Sequence, residues 1–378
     1  MSTTSWHFFC PRCLGTQQLC FILFAFVAFF FSASIGGCKS SSPSDKDTIS
    51  ELSFSHDGKK VVFDRCRAEG CQIQVYDLQT GELAAYESPI GERWTMGKYS
   101  YDGKKIAFSI IPTKGGINLS EMQIAVMDAD GKNLKKVTSG PGAKLYPAFS
   151  HSGKKILYAR AAFIRTSGRT PAAQYDAWEV NLETGEQTQL TFFEYYYMGY
   201  LTYFPDDERF IFWGEMPSVY EGVRAMDQPN FKNKMIELGE QGKSIAGIAM
   251  MKGKEIIPVP YRFPAESFPQ RPLLSQDGSR MIYEKSHSGD FYLYSQDIKP
   301  RYAGGGGSVN AAAISPDGQF LGMIATNLHI FTVADGKRKV ILYLPSAPKI
   351  ITNWEEVYRR NKNLYQMMPE RPSCIINK

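Results

Sequence analysis

The sequence predicts an all-β fold, a six-bladed β-propeller in which each blade is a sheet of four antiparallel strands. Three observations support this prediction. A short hairpin motif recurs six times along the chain, and a second hairpin follows the copies. In addition, 13% of the residues are aromatic and 33 are glycine, which is typical of many short strands joined by tight turns.

The recurring motif is an apolar residue, a small polar turn and an alternating apolar run. The six copies are FSHDGKKVVF (54–63), YSYDGKKIAF (99–108), FSHSGKKILY (149–158), FPDDERFIFW (204–213), LSQDGSRMIY (274–283) and ISPDGQFLGM (314–323). With the second residue of each copy as a marker, the markers fall at 55, 100, 150, 205, 275 and 315. Asp-Gly turns accept the positive φ of short hairpins, so each copy predicts the two inner strands of one blade.

The second hairpin completes each blade. Examples are QIQVYDLQTGELAAY after the first copy and QIAVMDADGKNLKKV after the second. A four-stranded sheet cannot bury both faces alone, whereas six sheets stacked around an axis bury each other. The predicted strands of blade 1 are 49–54, 59–65, 71–77 and 82–86, and those of blade 6 are 309–314, 319–325, 327–333 and 338–344. Neither blade needs a strand from the other end of the chain, so we expect apolar packing alone to close the ring.

The stretch AVMDADGKNLKKVTSGPGAKLYPAFSHSGKKILYAR resembles the WD40-like repeat of the TolB-family propellers. It shares the VMDADG turn, a fourth strand that contains threonine, a proline before the inner strand and a hairpin of the SPDGK type. The similarity spans about residues 48–345. Only about ten residues separate Cys38 from the first predicted blade, so we expect no equivalent of the α/β amino-terminal domain of TolB. The resemblance implies a central funnel that receives a protein or peptide partner.

An uncharged apolar run, LCFILFAFVAFFF at 19–31, precedes the repeats. It is shorter than the ~20 residues of a membrane-spanning helix and suits the core of a signal peptide. The tetrad Ile-Gly-Gly-Cys that follows resembles the bacterial lipoprotein processing box, which implies that Cys38 is lipidated and becomes the first mature residue. The alternative is an ordinary signal peptide, or a buried apolar segment with a chance cysteine.

These patterns predict the organisation of the whole chain. They indicate a lipoprotein signal peptide at 1–37, a flexible tether at 38–47, the propeller at 48–352 and a tail at 353–378 that contains a short helix. The implied location is the bacterial cell envelope. There the chain would be attached by its lipid to a membrane, the outer membrane in this interpretation, and would face the periplasm.

Two cysteines of the predicted first blade, Cys66 and Cys71, lie close together in DRCRAEGCQ. In an oxidising periplasm they could pair across a hairpin loop. Two unpaired thiols are the alternative, because sequence spacing does not supply the geometry that a disulfide requires.

The long predicted loops share one face of the propeller, which makes that face the candidate binding surface. We label the strands of a blade a to d from the axis outward. The a–b and c–d turns are short and nearly uniform, whereas insertions concentrate in the b–c and d–a connections. Long loops on a rigid scaffold commonly carry function. The long connections are 112–121, 165–175, 192–200, 214–232 and 257–271.

The repeat register predicts the side chains around the mouth of the funnel. The residue four positions before each marker should lie where the innermost strand opens onto the funnel. These register residues are Glu51, Met96, Tyr146, Leu201, Arg271 and Ala311, and the predicted neighbours on the rim are Trp94, Tyr200 and Asn310. Aromatic rings and arginine are frequent at interface hot spots, which favours a protein or peptide partner. The alternatives are packing between blades for the rings and solvated surface charges for Glu51 and Arg271.

No motif in the sequence indicates a metal, a cofactor or a nucleophilic serine. The string GKSIAG lacks the second glycine of a hydrolase elbow at the right place. His56 and His151 occupy equivalent turns, where we expect them to be exposed. The net charge of +5 comes without a dense basic tract, so no nucleic-acid partner is expected.

Two functions from different classes follow. The first is a non-catalytic envelope lipoprotein whose propeller binds a protein or peptide through its long-loop face and central funnel. The second is a periplasmic lyase or hydrolase that acts on a glycan or peptide in the funnel. Two or more buried acidic residues with perturbed pKa in the funnel would favour the enzyme.

We expect Cys38→Ala to abolish the lipid modification and to release the protein from envelope membranes, because the lipid is attached to this thiol. Membrane fractionation and mass spectrometry of the purified protein test this. Cys374→Ala is the matched control and should leave the modification unchanged. A Cys38→Ala protein that still fractionates as a lipid-modified membrane protein would show the prediction to be wrong.

Overall fold

The computed structural model describes residues 48–350 apart from 68–69, 165–171, 194, 196, 215–218, 221–222, 225–246, 259–268, 286–287, 295–300, 306–308, 326 and 345–348. The predicted signal peptide, Cys38, the tether and the tail lie outside the described residues. So do large parts of the predicted loops at 165–175, 214–232 and 257–271. In the described part of the chain, no helix is both long and apolar enough to cross a membrane.

Six four-stranded antiparallel sheets form the blades of a ring, as the sequence predicts. Blade 1 contains β1 (Leu52–Phe54), β2 (Lys60–Cys66), β3 (Cys71–Asp77) and β4 (Leu83–Glu87). Blade 2 contains β5 (Glu92–Tyr99), β6 (Lys105–Pro112), β7 (Gln123–Asp128) and β8 (Lys135–Lys136), with a short 3-10 helix (Leu119–Glu121) between β6 and β7. Blade 3 contains β9 (Ala143–Phe149), β10 (Lys155–Ile164), β11 (Ala172–Asn181) and β12 (Gln187–Gln189).

The second half of the ring repeats this pattern. In blade 4, β13 (Met198–Tyr203) and β14 (Arg209–Gly214) are followed by a small hairpin of β15 (Val219–Tyr220) and β16 (Val223–Arg224), and then by β17 (Gly247–Lys252) and β18 (Glu255–Ile257). Blade 5 contains β19 (Pro269–Leu274), β20 (Met281–Lys285), β21 (Phe291–Leu293) and β22 (Arg301–Gly304). Blade 6 contains β23 (Ala311–Ile314), β24 (Phe320–Ile324), β25 (Leu328–Thr332) and β26 (Arg338–Leu342). The innermost strands contact one another in succession, and β23 returns to β1.

The closure of the ring differs from the prediction. A further strand, β27 (Lys349–Ile350), follows blade 6 and pairs in parallel with β4, the outermost strand of blade 1. The expectation that apolar packing alone closes the ring is therefore wrong. Backbone hydrogen bonds at the outer edge of blade 1 add to the packing. The predicted bounds of the strands in blades 1 and 6 hold to within three residues.

Apolar side chains from both faces of each blade build a hydrophobic cluster at each of the six contacts between neighbouring blades. Strand β6 illustrates the alternation that produces this packing. Phe108 points toward blade 1, whereas the adjacent Ala107 points toward blade 3. Successive side chains of a strand lie on opposite faces, so each blade contributes to two clusters. This packing holds the inner strands around the central channel.

The recurring serine and aspartate explain the uniform a–b turns. Ser100 donates its hydroxyl hydrogen to Asp102 at 2.6 Å and accepts the backbone N–H of Lys105 at 2.9 Å. Gly103 completes the turn with a φ of 71°. The same serine-to-aspartate bond occurs in the first, fifth and sixth copies, in the pairs Ser55–Asp57, Ser275–Asp277 and Ser315–Asp317. Each turn therefore satisfies its own polar groups.

The fourth copy is shifted by one residue relative to the sequence alignment. Phe204 makes the backbone bond to Arg209 that Ser100 makes to Lys105 in the second copy. Asp207, with a φ of 56°, takes the place of the turn glycine. The fourth marker is therefore 204 instead of 205, because serine and glycine are both absent from this turn. The register residue of blade 4 is Tyr200, and the assignment of Leu201 is corrected.

Lys144 fixes the start of β9, two residues before the predicted mouth residue Tyr146. The side chain is fully buried, and its ammonium donates to the carbonyl oxygens of Gly140 at 2.7 Å, Met122 at 3.2 Å and Gly142 at 3.3 Å. This lysine therefore ties the d–a connection between blades 2 and 3 to the end of the b–c connection of blade 2. Buried carbonyls need donors, which makes the contact structural.

We expect Lys144→Met to lower the free energy of unfolding by about 2 kcal/mol, because several buried carbonyls lose a charged donor. Chemical denaturation followed by circular dichroism measures the change. Lys154→Met, at an exposed turn of the same blade, is the matched control and should change little. Equal losses in the two variants would contradict the structural role of Lys144.

Candidate functional site

Four of the six inner strands contain a bulge with left-handed backbone at the same place. The strand pairing shifts register in β5, β9, β13 and β19. The residues with positive φ at these shifts are Met96 (60°), Tyr146 (55°), Tyr200 (56°) and Arg271 (45°). Large side chains rarely adopt this conformation, which costs on the order of 1–3 kcal/mol per residue. Proline follows at 147 and 272, which suits a bulge because proline cannot donate to the sheet.

These four residues and Glu51, which precedes β1, form what we call the channel mouth. The four bulge residues lie within the innermost strands β5, β9, β13 and β19, and Glu51 directly precedes β1. Four of the five line the central cavity, which encloses about 100 Å³, and Arg271 lies directly before the lining residue Pro272. Four predicted residues therefore come together as the register implies, and Tyr200 joins them in place of Leu201.

Of the other predicted rim residues, Trp94 and Ala311 lie in the packing between blades. Trp94 is fully buried between blades 1 and 2, where its ring packs on Phe108. Ala311 and Leu201 are also buried, in the clusters between blades 6 and 1 and between blades 3 and 4. For Trp94 and Ala311 packing accounts for the burial, and their assignment to the rim is corrected. Leu201 also lines the central cavity, beside Tyr200. Asn310 is exposed at the start of the inner strand of blade 6 and donates to the carbonyl of Ala325 at 3.0 Å.

Three tyrosines of blades 3 and 4, which we call the tyrosine cluster, form one wall of the mouth. They are Tyr146, Tyr197 and Tyr200. The hydroxyl groups of Tyr146 and Tyr197 are hydrogen-bonded to each other, and the ring centroids of Tyr146 and Tyr200 lie 5.3 Å apart. Trp213 packs behind Tyr197 at 4.9 Å. Burial raises the pKa of Tyr200 to about 12, so these hydroxyl groups stay protonated.

Arg271 is held by an ion pair and does not extend into solvent. Its Nε lies 3.2 Å from Oε2 of Glu284, and both side chains are buried. A guanidinium N–H also donates to the carbonyl of Val309 at 3.2 Å, and the guanidinium carbon lies 5.5 Å from the ring centroid of Tyr200. The alternative of a solvated surface charge is therefore wrong for Arg271. Glu284 in turn accepts the backbone N–H of Gly289 at 2.9 Å.

Asp64 anchors the segment that carries Glu51. One oxygen of the Asp64 carboxylate accepts the backbone N–H groups of Ser50 at 3.1 Å and Glu51 at 2.9 Å. The other accepts the hydroxyl of Thr95, from blade 2, at 2.5 Å. Asp64 is fully buried, and this burial raises its pKa against the opposing effect of the Thr95 hydrogen bond. The network joins blade 1 to blade 2 at the channel mouth.

Lys98 crosses the channel below the mouth. Its ammonium, from blade 2, lies 3.4 Å from both the carbonyl of Leu201 and the hydroxyl of Thr202 in blade 4, which is not a neighbouring blade. Burial lowers the pKa of Lys98, and the charge of Glu51 opposes that shift. Burial also raises the pKa of Glu51 to about 7, where Lys98 opposes the shift and Asp64 adds to it. The two charges are therefore coupled inside the channel.

Side chains also meet across the axis at the opposite, turn-bearing end. His56 Nδ1 and the amide of Gln276 are within hydrogen-bonding distance, at 3.0–3.2 Å, although they belong to blades 1 and 5. His151 stacks on Tyr101 with centroids 3.5 Å apart, and the Tyr101 hydroxyl donates to the carbonyl of Tyr203. His56 is exposed as expected, whereas His151 is half-buried against this ring. The channel is narrow at this end.

Sequence reasoning missed five residues of the site, namely Asp64, Thr95, Lys98, Tyr197 and Glu284. Lys98 lies two positions before a repeat marker, so the register could have identified it as an inner-strand residue facing the channel. Asp64 and Glu284 are charged residues at the ends of otherwise apolar second strands, DRC after VVF and EK after MIY. A charged residue at the end of an otherwise apolar strand was the sequence signal that could have identified Asp64 and Glu284 as site residues.

Cys66 and Cys71 form a disulfide, with an S–S distance of 2.08 Å, and they are cross-strand partners of β2 and β3. The bond lies at the b–c end of blade 1, on the long-loop face. In the described part of the chain, no group of three or more histidine, cysteine, aspartate and glutamate residues could hold a metal ion.

The pKa of Glu51 predicts how stability depends on pH. The folded state retains the proton of Glu51 up to about pH 7, whereas the unfolded chain releases it near its ordinary value of 4.5. The free energy of unfolding therefore falls as pH rises through this window, and Glu51→Gln should remove up to about 3 kcal/mol of that fall. Denaturation series between about pH 4.5 and 7.5 measure it. Glu183→Gln, at an exposed turn, should keep the wild-type profile; parallel profiles for Glu51→Gln and wild type would contradict the prediction.

Known proteins with similar structures support the assignment of the fold. No protein-family model matches the sequence, and no curated protein matches it. Among solved structures, TolB from Acinetobacter baumannii is 17% identical, with a TM-score of 0.53 over 81% of this chain and 66% of that chain. An oligogalacturonate lyase in complex with manganese is 14% identical, with a TM-score of 0.49 over 77% of each chain. A putative TolB from Agrobacterium tumefaciens is 14% identical, with a TM-score of 0.47 over 72% of this chain and 87% of that chain.

Identities this low show the fold alone. This chain spans 66% of the length of the Acinetobacter TolB. The ring of six four-stranded blades and this match agree with the resemblance of the repeats. The protein is a six-bladed β-propeller with a TolB-like fold.

Proposed function

We propose that the protein is a non-catalytic envelope lipoprotein whose propeller binds a protein or peptide segment at the channel mouth. The observation that carries this proposal is the repeated left-handed bulge, which directs Met96, Tyr146, Tyr200 and Arg271 to one opening. Strained backbone that recurs at equivalent positions is typical of functional sites, because packing alone does not require it.

The shape and chemistry of the channel favour the tip of a polypeptide as the ligand. The mouth presents tyrosine rings and a buried arginine on rigid strands, and such residues dominate the binding energy of protein interfaces. Bonds between Lys98 and blade 4, and between His56 and Gln276, narrow the channel below the mouth. A loop or chain end that enters from the long-loop face fits this arrangement better than a segment that threads through.

The envelope location rests on the N-terminal sequence, with Cys38 as the lipidated residue. The disulfide between Cys66 and Cys71 supports an oxidising compartment, because structural disulfides are rare in proteins of the reducing cytosol. In this arrangement the tether at 38–47 links the propeller to a membrane, and the propeller presents its mouth to partners in the periplasm.

One observation favours the enzymatic alternative, a periplasmic lyase or hydrolase acting on a glycan or peptide. Glu51 and Asp64 are adjacent acidic residues whose pKa values are both raised, chiefly by burial. A carboxyl group with a pKa near 7 suits general acid catalysis. Asp64, however, is fully engaged by Thr95 and two backbone N–H groups, which assigns it a positioning role. This alternative would be favoured if the wild-type protein turned over an envelope glycan or peptide and the Glu51→Gln variant did not.

We expect a double substitution, Tyr146→Ala with Tyr200→Ala, to reduce partner capture at least about tenfold, because it removes two aromatic contacts from the mouth. In-cell crosslinking followed by affinity capture from envelope membranes, with quantitative mass spectrometry, measures the loss. Arg271 is left intact, because removing it would leave the buried Glu284 without its ion-pair partner.

The matched control for this experiment is Tyr343→Ala, since Tyr343 is 75% exposed and follows the outermost strand of blade 6. This control should capture the same partners as the wild-type protein. Unchanged capture by the double variant, in a protein whose circular dichroism shows it to be folded, would overturn the proposed function.

A further inference from the structure

Glu51 lies at the channel mouth with a carboxylate oxygen that no described residue satisfies. The residue is fixed in place, because its backbone N–H donates to Asp64. Its Oε1 atom is screened from solvent and accepts no hydrogen bond within the described part of the chain. A buried acceptor without a donor is unfavourable by about 1–3 kcal/mol. Such an atom is suited to a donor that a ligand brings.

The two resident cations of the mouth have other acceptors. Lys98 and Arg271 are the cations whose charges lower the pKa of Glu51, against the larger effect of burial. The Lys98 ammonium is directed at the carbonyl of Leu201 and the hydroxyl of Thr202. The Arg271 guanidinium is engaged by Glu284. Both cations stabilise the ionised carboxylate from a distance, while no described residue donates to its Oε1 atom.

The charge balance at the mouth favours a cation over an anion. The described charged side chains there are the carboxylates of Glu51, Asp64 and Glu284 and the cations of Lys98 and Arg271. Above about pH 7, where Glu51 is ionised, these five charges leave one negative charge in excess. An incoming anion would add to the repulsion by which Asp64 already raises the pKa of Glu51. An incoming cation would relieve that repulsion.

Two rings of the tyrosine cluster complete a site for a cation. Tyr146 and Tyr200 line the same cavity as Glu51. Burial raises the pKa of both tyrosines, and the charge of Glu51 raises it further to a smaller extent. Aromatic rings attract ammonium and guanidinium groups through their π electrons, most strongly when water is excluded. Tyr200 already has the Arg271 guanidinium 5.5 Å from its centroid.

We propose that the channel mouth binds a lysine or arginine side chain of the partner segment, with Glu51 as its counter-ion and Tyr146 and Tyr200 as its aromatic wall. This inference rests on the proposed function, because it names the chemistry of the segment that enters the same channel. The ligand cation donates to Oε1 of Glu51 and its apolar stem packs on the rings. Arginine and lysine both supply the donor that no described residue provides to this atom.

A random heptapeptide library displayed on phage is the probe. It is panned in parallel on the detergent-purified full chain as wild type, Glu51→Gln and Glu183→Gln. We expect wild-type binders to be enriched in lysine and arginine relative to the input library. Synthetic peptides with the selected sequences should bind Glu51→Gln at least about tenfold more weakly than wild type, because the charge-assisted hydrogen bond is lost. Glu183→Gln should bind them as the wild type does.

The outcomes separate this inference from the function on which it rests. Selected peptides whose binding requires Tyr146 and Tyr200, but which are not enriched in lysine and arginine, would overturn the inference and leave the proposed function in place. The same follows if such peptides bind Glu51→Gln as tightly as the wild type. Selected acidic peptides whose binding is lost in the Lys98→Gln variant would identify an anionic ligand. That result would overturn the inference as well. If no selected peptide depends on Tyr146 and Tyr200, both are overturned.

Discussion

The left-handed backbone within four inner strands is the constraint on which the candidate site depends. A bulge lets a residue leave the sheet register, so Met96, Tyr146, Tyr200 and Arg271 gather at the opening of the channel, where Tyr146 also packs against the cluster between blades 3 and 4. This conformation is unfavourable for large side chains, and it persists only because the surroundings leave no alternative. The clusters between blades supply that rigidity, since each inner strand is held from both sides.

The polar groups of the mouth extend this rigidity to the chemistry of the site. Asp64 holds the backbone at Glu51, Lys98 spans the channel to blade 4, and Glu284 holds Arg271. Each bond joins separate segments of the chain. The Lys98 bond joins blade 2 to blade 4, and Asp64 also bonds to Thr95 of blade 2. The site therefore exists only when the ring is assembled. A charge displaced at one blade changes the electrostatic environment of the others, as the mutual effects of Glu51 and Lys98 on their pKa values illustrate.

Sequence reasoning predicted the fold well because the propeller is built from local repeats. Glycine and aspartate at hairpin turns and alternating apolar runs are visible in a single blade, and the register derived from them located Glu51, Met96, Tyr146 and Arg271. It misplaced blade 4 because Phe204 and Asp207 stand where other copies have serine and glycine. It also missed Lys98 and Glu284, because their roles depend on partners from distant segments. Trp94 was misassigned since an aromatic residue near the rim has the same sequence signal as one buried between blades.

The short strand β27, which completes blade 1, also affects the association of the protein with other copies of itself. Outermost strands offer unpaired backbone groups, and such edges invite association with other chains unless they are short or charged. Four of the outer strands are only two to four residues long, and β26 begins with arginine and lysine. Strand β4, with the sequence LAAYE, is the longer and more apolar exception, and it is the one that β27 covers. The segment after blade 6 thus protects the edge most prone to aggregation, so that loss of this segment would favour self-association before it affected the channel.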